Sequence, residues 1–259
     1  MLDVPAALAA LAAITALAVG GWLLSLLRRD VSIVDSLWSL FFLLGVGVYA
    51  AATTVSKPRA TVLLLLLVLW ALRLAGYLTW RNWGEPEDRR YRAIRARNEP
   101  GFAWKSLYLV FGLQALLAVI IAMPLFAGVS AGGALTLLDY AGIALWLIGF
   151  GVESIGDWQL ARFKADPASR GRVLDTGLWR YTRHPNYFGE ATLWWGFYLI
   201  AAAGGGGWTV FAPLLMTVLL LRVSGVTLLE RDIHERRPAY RDYVARTSAF
   251  LPWPPRGTA

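Results

Sequence analysis

The sequence contains no cysteine and only two histidines, and charged residues make up 16% of the chain. Without cysteine there is no disulfide, no thiolate nucleophile and no thiolate metal site. The two histidines, His184 and His234, are not spaced to converge with carboxylates on one helix face, so we expect no metal site. The sequence also has no GxSxG motif of the kind that carries a serine nucleophile. These absences argue against several common classes of enzyme site.

Apolar residues dominate what is present. They make up 57% of the chain, and the mean hydropathy is +0.51, which is too apolar for an ordinary soluble domain. Apolar stretches long enough to cross a bilayer recur along the chain. Because backbone groups must be paired in lipid and no strand-like alternation is present, we predict an all-α multi-pass membrane bundle, a single domain over residues 1–259. Seven transmembrane helices are predicted, at about 5–27, 35–55, 61–80, 104–127, 137–160, 186–203 and 208–229.

The net charge of +8 is distributed unevenly between the two sides of the predicted bundle. Of the 25 lysines and arginines, 21 lie on one side, and only Lys57 and Arg59 lie in loops on the other. Because basic loops stay in the cytoplasm, the N-terminus is predicted outside and the C-terminus in the cytoplasm. We expect a bacterial inner-membrane location, contact with membrane lipids, and no nucleic-acid partner.

Several polar residues lie inside or at the ends of the predicted spans, where they are costly and usually functional. Asp35 begins the second span, and Arg73 and Tyr77 lie in the third. A purely structural alternative is that such groups form buried ion pairs that fix the register of the helices. The glycines of "GFGVESIG" lack the spacing of a dinucleotide-binding loop, and they favour close helix packing instead.

The stretch "RYTRHPNYFGE" combines basic groups with an amide and a carboxylate. Pro185 suits the first turn of a helix, so Asn186 and Glu190 should project along one face of it. Arg183 and His184 lie just outside the electropositive helix N-terminus. Glu153 and Asp157 are likewise four residues apart, at the end of the fifth predicted span. This pattern suits a ligand with phosphates at one end and a carboxamide at the other, such as a nicotinamide dinucleotide.

The segments "GLWRYTRHPNYFGEATLWWG" and "ERRPAYRDYVARTSAFLPW" resemble the C-terminal region of steroid 5α-reductases and their bacterial homologues. The resemblance covers roughly residues 60–255 and is strongest at 150–255. It implies a seven-span membrane enzyme that reduces a conjugated enone, such as a 4-ene-3-ketosteroid, with NADPH. It also implies that Asn186 and Glu190 hold the nicotinamide, and that Asp157, Lys164 and Arg172 contact the rest of the cofactor.

The expected cofactor-binding residues come from the predicted third, fifth and sixth spans and from the basic loops beside them. They are Arg73, Arg81, Asn82, Glu153, Asp157, Lys164, Arg172, Tyr181, Arg183, His184, Asn186, Tyr187, Glu190, Arg236 and Arg237.

Asp35 and Tyr77 are the expected catalytic residues, as donors that stabilise enolate charge on the substrate ketone. A donor role for Asp35 requires a protonated carboxyl, which burial in an apolar bundle would favour. The sequence lacks the Gln-Glu pair that the animal enzymes carry at this point, since no glutamine precedes Asp35.

Two other functions fit parts of the pattern. The Arg-His-Pro-x-Tyr-x-Gly core is also similar to isoprenylcysteine carboxyl methyltransferases, which would make S-adenosylmethionine the cofactor. The many cationic residues in the basic loops favour the more anionic NADPH. A non-enzymatic scaffold or transporter is a third possibility, but the sequence shows no inverted repeats or broken helices.

Overall fold

The computed structural model describes residues 2–53, 58–223, 225–226, 230 and 239–256, and within these ranges the chain is helical without a β-strand. The main helices are α1 (Val4–Arg28), α2 (Ile33–Ala52), α3 (Pro58–Asn82), α4 (Arg89–Asn98), α5 (Phe102–Ser130), α6 (Leu137–Ala165), α7 (Pro185–Ala203), α8 (Gly206–Val223) and α9 (Tyr240–Arg246). Short 3₁₀ turns at Pro167–Ser169 and Gly177–Arg180 lie between α6 and α7.

Six of these helices are long and apolar enough to cross a membrane, namely α1, α2, α3, α5, α6 and α8. The described helices are therefore compatible with an integral membrane protein. The predicted sixth span also forms a helix, α7, but it is not among the six. Polar residues in its first two turns, including Asn186 and Glu190, lower its hydropathy. The predicted number of seven spans is thus not confirmed, and the orientation of the termini stays a prediction.

Local sequence signals explain where several helices begin or change. The Asp3 side chain accepts a hydrogen bond from the Ala6 amide at 2.9 Å and caps α1. Thr136 and Asp139 form a capping box at the start of α6. Inside α5, a π-helical turn spans Leu107–Gly112, and a new helical segment begins at Met123, just before Pro124. Proline lacks the amide proton that a continuous helix requires, which accounts for the second interruption.

By its internal contacts the chain divides into two compact units. The first consists of Met1–Leu135 and Ala201–Thr209. Within it, the Ser39 hydroxyl of α2 donates to the Ala71 carbonyl of α3 at 2.9 Å. The rings of Phe42 and Trp70, both fully buried, meet edge to face at 5.7 Å. These contacts pack α2 against α3.

The second unit consists of Thr136–Ile200 and Val210–Ala259, and its central feature is the contact between α6 and α7. A Cβ atom added to Gly149 would lie 2.6 Å from the Gly189 carbonyl oxygen, and one added to Gly189 would lie 2.6 Å from the Gly149 carbonyl oxygen. Gly142 and Gly196 form a similar pair further along the two helices. Because only glycine leaves room here, the two backbones touch directly.

Comparison of two glycines on α6 tests this packing. Gly149→Ala should destabilise the protein by about 1–3 kcal/mol, because the new methyl group overlaps α7 and forces the helices apart. A methyl group added to Gly151 would meet nothing within 4 Å. Gly151→Ala should therefore leave the stability unchanged or raise it by about 0.5–1 kcal/mol. Thermal unfolding of both variants in detergent measures the difference, and equal midpoints would contradict direct backbone contact.

Candidate functional site

The contact between α6 and α7 brings together four polar residues that were expected from the sequence to bind a cofactor. The Asn186 amide nitrogen donates to the Asp157 carboxylate at 3.2 Å. Glu153 and Asp157 on α6 are buried, with 2% and 5% of their surface exposed, and Glu190 on α7 is also buried, at 8%. Gly189, beside Glu190, packs on the backbone of Glu153. Three carboxyl groups and one amide thus lie within two helices that are in backbone contact.

This cluster is suited to a ligand that can both donate and accept hydrogen bonds. A carboxylate only accepts, whereas an amide side chain has two donor protons and one acceptor oxygen. The contact with Asp157 uses one donor proton of Asn186, which is half-buried. Clusters of buried ionisable groups are common at binding and catalytic sites, and a role of this cluster in cofactor binding stays a prediction.

Immediately before α7, Arg183 and His184 are both buried and both contact Glu230. The Arg183 guanidinium donates two hydrogen bonds to that carboxylate, at 2.7 and 2.8 Å, and a third to the Thr247 carbonyl at 2.5 Å. The His184 Nε2 lies 3.0 Å from a Glu230 oxygen, and the His184 ring stacks on Tyr187. These groups therefore join the start of α7 to Glu230 and residues 239–256, which together are called the C-terminal segment.

The ion pair between Arg183 and Glu230 stays charged at neutral pH. Burial opposes ionisation of Glu230, but hydrogen bonds from His184 and Arg183 outweigh it and lower the pKa of Glu230 to about 2. Arg183 and His184 were expected from the sequence to contact a cofactor, whereas Glu230 was not selected. The available signal was a carboxylate at the end of the last apolar stretch, next to a strongly basic segment.

The other expected cofactor residues of this unit lie on the surface. Lys164, Arg172 and Tyr181 are exposed, in the segment that joins α6 to α7 or close to its ends. Arg236 and Arg237 lie outside the described residues. The expected contact of Lys164 and Arg172 with a cofactor stays a prediction.

In the first unit, Asp35 accepts hydrogen bonds from two residues of α4 that were not selected from the sequence. The Arg90 guanidinium donates at 2.6 Å and the Tyr91 hydroxyl at 2.5 Å. The Tyr91 hydroxyl accepts in turn from the Gln114 amide at 3.1 Å. Burial opposes the charge of Arg90, but Asp35 outweighs it and raises the Arg90 pKa. Burial, followed by the charge of Asp35, raises the pKa of Tyr91, so this phenol stays protonated.

These contacts define the surroundings of Asp35. In both of them the Asp35 carboxyl group is the acceptor, and the Arg90 guanidinium is a cation beside it. The expected role of Asp35 as a donor to the substrate ketone stays a prediction. The run "DRRYR" after the third predicted span was the available signal for Arg90 and Tyr91, since it places an arginine and a tyrosine together on a short helix.

The remaining expected residues, Arg73, Tyr77, Arg81 and Asn82, all lie on α3. The Arg81 guanidinium lies 5.7 Å from the centre of the Tyr77 ring and donates to the Asn82 side chain at 3.1 Å. The two expected catalytic residues therefore have different neighbours, because Tyr77 contacts Arg81 along its own helix and Asp35 contacts α4.

Comparison with known proteins places the chain in a family. Residues 21–247 match the family described as Protein of unknown function (DUF1295). The chain is also 28% identical to an uncharacterized protein of Schizosaccharomyces pombe, over an alignment that covers 89% of this chain and 75% of the yeast protein. No solved structure matches the chain. The chain therefore belongs to the DUF1295 family, which is related to steroid 5α-reductase-like membrane proteins.

Proposed function

We propose that this protein is an NADPH-dependent membrane reductase that acts on the C=C bond of an apolar enone, for which a 4-ene-3-ketosteroid is a suitable test substrate. The observation that carries the proposal is the hydrogen bond between Asp157 and Asn186, next to the buried carboxyl groups of Glu153 and Glu190. The relation of the family to steroid 5α-reductase-like proteins supports the same chemistry.

The cluster on α6 and α7 fits the nicotinamide end of the cofactor. A carboxamide has two donor protons and one acceptor oxygen, and it needs partners of the opposite kind. Glu190 would accept from the carboxamide, and Asn186 would donate to its oxygen while Asp157 holds Asn186 in place. Bound NADPH would supply the hydride. The protein would position the ring and exclude water from it.

The basic residues at the surface fit the phosphates. NADPH carries a pyrophosphate and a ribose phosphate, and these groups are commonly held by lysine and arginine. Lys164 and Arg172 are exposed and would serve this purpose, together with Arg236 and Arg237. Arg183 would support the site without contacting the phosphates, because its guanidinium is bound to Glu230 and to carbonyl oxygens of the C-terminal segment.

On the substrate, hydride would add to the β-carbon and a proton to the α-carbon, so that the double bond is reduced and the ketone is retained. Negative charge develops on the ketone oxygen during hydride addition, and a hydrogen-bond donor would stabilise it. Tyr77 remains the proposed donor. Asp35 would hold Tyr91 and Arg90 in place rather than donate its own proton, because both groups already donate to it.

Glu190→Gln tests the nicotinamide site. The substitution keeps the size of the side chain but replaces an acceptor-only group with one that also donates. We expect hydride transfer to slow by at least about tenfold, because small displacements from the reactive geometry are costly. Single-turnover oxidation of NADPH with a saturating 4-ene-3-ketosteroid measures the rate. The same change at the exposed Glu85, Glu85→Gln, is the matched control and should leave the rate unchanged.

A structural role for Glu190 gives a different result. If Glu190 only joins helices, Glu190→Gln lowers the thermal stability while the protein that remains folded turns over at the wild-type rate. That outcome would remove Glu190 from the proposed site. If the wild-type protein oxidises no NADPH with any enone tested, the proposed reaction itself is wrong. Methyl transfer from S-adenosylmethionine would then be the alternative to assay.

Removal of the hydroxyl group from Tyr77 and from Tyr91, in separate variants, distinguishes a catalytic role from a structural one. Tyr77→Phe should lower turnover by about 10²–10³-fold, the usual effect of losing one donor to a developing oxyanion, with little change in stability. Tyr91→Phe should lower stability by about 1–3 kcal/mol, because Asp35 and Gln114 lose a buried partner. Turnover and thermal unfolding are measured on both variants. Normal turnover in Tyr77→Phe would exclude Tyr77 as the donor.

A further inference from the structure

Arg183 and residues of the C-terminal segment line a cavity of about 480 Å³, and the charged residues of this lining are all basic. Three arginines contribute to it, namely Arg183, Arg246 and Arg256, and among the described residues that line it there is no aspartate or glutamate. The remaining lining includes Ser248 and Trp253. A cavity of this size holds a phosphate group together with part of the molecule that carries it.

Backbone hydrogen bonds fold the chain around this cavity. The Arg256 amide donates to the Arg246 carbonyl at 2.9 Å, so the end of the described chain returns to the end of α9. The Trp253 amide donates to the Tyr181 carbonyl at 2.9 Å, and the Arg183 amide donates to the Ser248 carbonyl at 2.9 Å. These bonds hold the residues before α7 directly against the residues after α9.

The charges around the cavity are only partly balanced. Arg183 is paired with Glu230, and Arg246 is paired with Asp175. Neither carboxylate lines the cavity. Arg256 is exposed, and it contributes a third guanidinium to the lining. A guanidinium presents several N–H donors in a fixed plane, a geometry that suits the oxygens of a phosphate.

We propose that this cavity binds a phosphate group, held by the guanidinium groups of Arg246 and Arg256 with the Ser248 hydroxyl as a further donor. Two ligands could supply the phosphate, namely a nucleotide or the headgroup of a phospholipid. The assignment to a nucleotide rests on the proposed function, whereas phosphate binding does not. Trp253 is 69% exposed and lies in the same lining, where it offers a flat surface to a base or to the lipid interface.

Titration of the purified full chain with inorganic pyrophosphate tests the proposal. Arg256→Gln should weaken binding by about tenfold or more, which corresponds to the loss of a charge-assisted hydrogen bond. Arg246→Lys keeps the charge but loses the planar fork, and it should also weaken binding. Arg241→Gln is the matched control, because Arg241 is an exposed arginine of α9 outside the cavity lining. It should bind pyrophosphate as the wild type does.

Two further titrations identify the source of the phosphate. If Arg256→Gln weakens binding of NADPH but not of mixed micelles that contain phosphatidic acid, the ligand is a nucleotide, and the reverse result indicates a lipid headgroup. The proposal is overturned if the wild type binds no pyrophosphate, if Arg256→Gln binds it normally, or if Arg241→Gln weakens binding equally. A protein that binds pyrophosphate but oxidises no NADPH would refute the proposed reaction and leave the phosphate cavity intact.

Discussion

Direct backbone contact between α6 and α7 is the constraint on which the candidate site depends. Gly149 and Gly189 leave no space for a side chain on either helix at their meeting point. Close approach allows short side chains to reach across, as in the hydrogen bond from Asn186 to Asp157. With a larger residue at either glycine, the helices would separate and this contact would be lost.

The same contact concentrates carboxyl groups within the second unit. Glu153, Asp157 and Glu190 are buried carboxyl groups on the two helices. Basic residues follow in the segment between α6 and α7, and others lie in the C-terminal segment. Arg183 connects the start of α7 to that segment through Glu230 and the Thr247 carbonyl. Acidic groups in the helices and basic groups near their ends together suit a ligand with a polar head and anionic phosphates.

Periodicity and glycine spacing allowed much of this arrangement to be predicted from the sequence. The four-residue spacing of Asn186 and Glu190 placed them on one face of a helix, and the helix forms over the predicted residues. The glycines of "GFGVESIG" were expected to permit close packing, and Gly149 and Gly156 do pack against α7 or its first residues. Such features are local, because a few neighbouring residues determine them.

Contacts between distant segments were not predictable in the same way. Glu230 is 47 positions from Arg183, and Asp35 is 55 positions from Arg90. No periodic pattern links residues so far apart, so neither pair was predicted from the sequence. For the same reason the sequence did not reveal that a cation lies beside Asp35. The hydropathy of α7 also fell below that of a membrane span, because the polar residues that suggest function make the helix less apolar.

Cofactor-dependent thermal stability tests the central claim most directly. A ligand that binds only the folded protein raises the unfolding midpoint by mass action. Unfolding of the wild type is compared in the presence of NADPH, NADH and S-adenosylmethionine, each at the same concentration. We expect the largest rise with NADPH, and a smaller rise with NADPH in Glu190→Ala than in the wild type. Stabilisation by S-adenosylmethionine alone, or an equal response of Glu190→Ala and the wild type to NADPH, would contradict a nicotinamide site built from the polar side chains of α6 and α7.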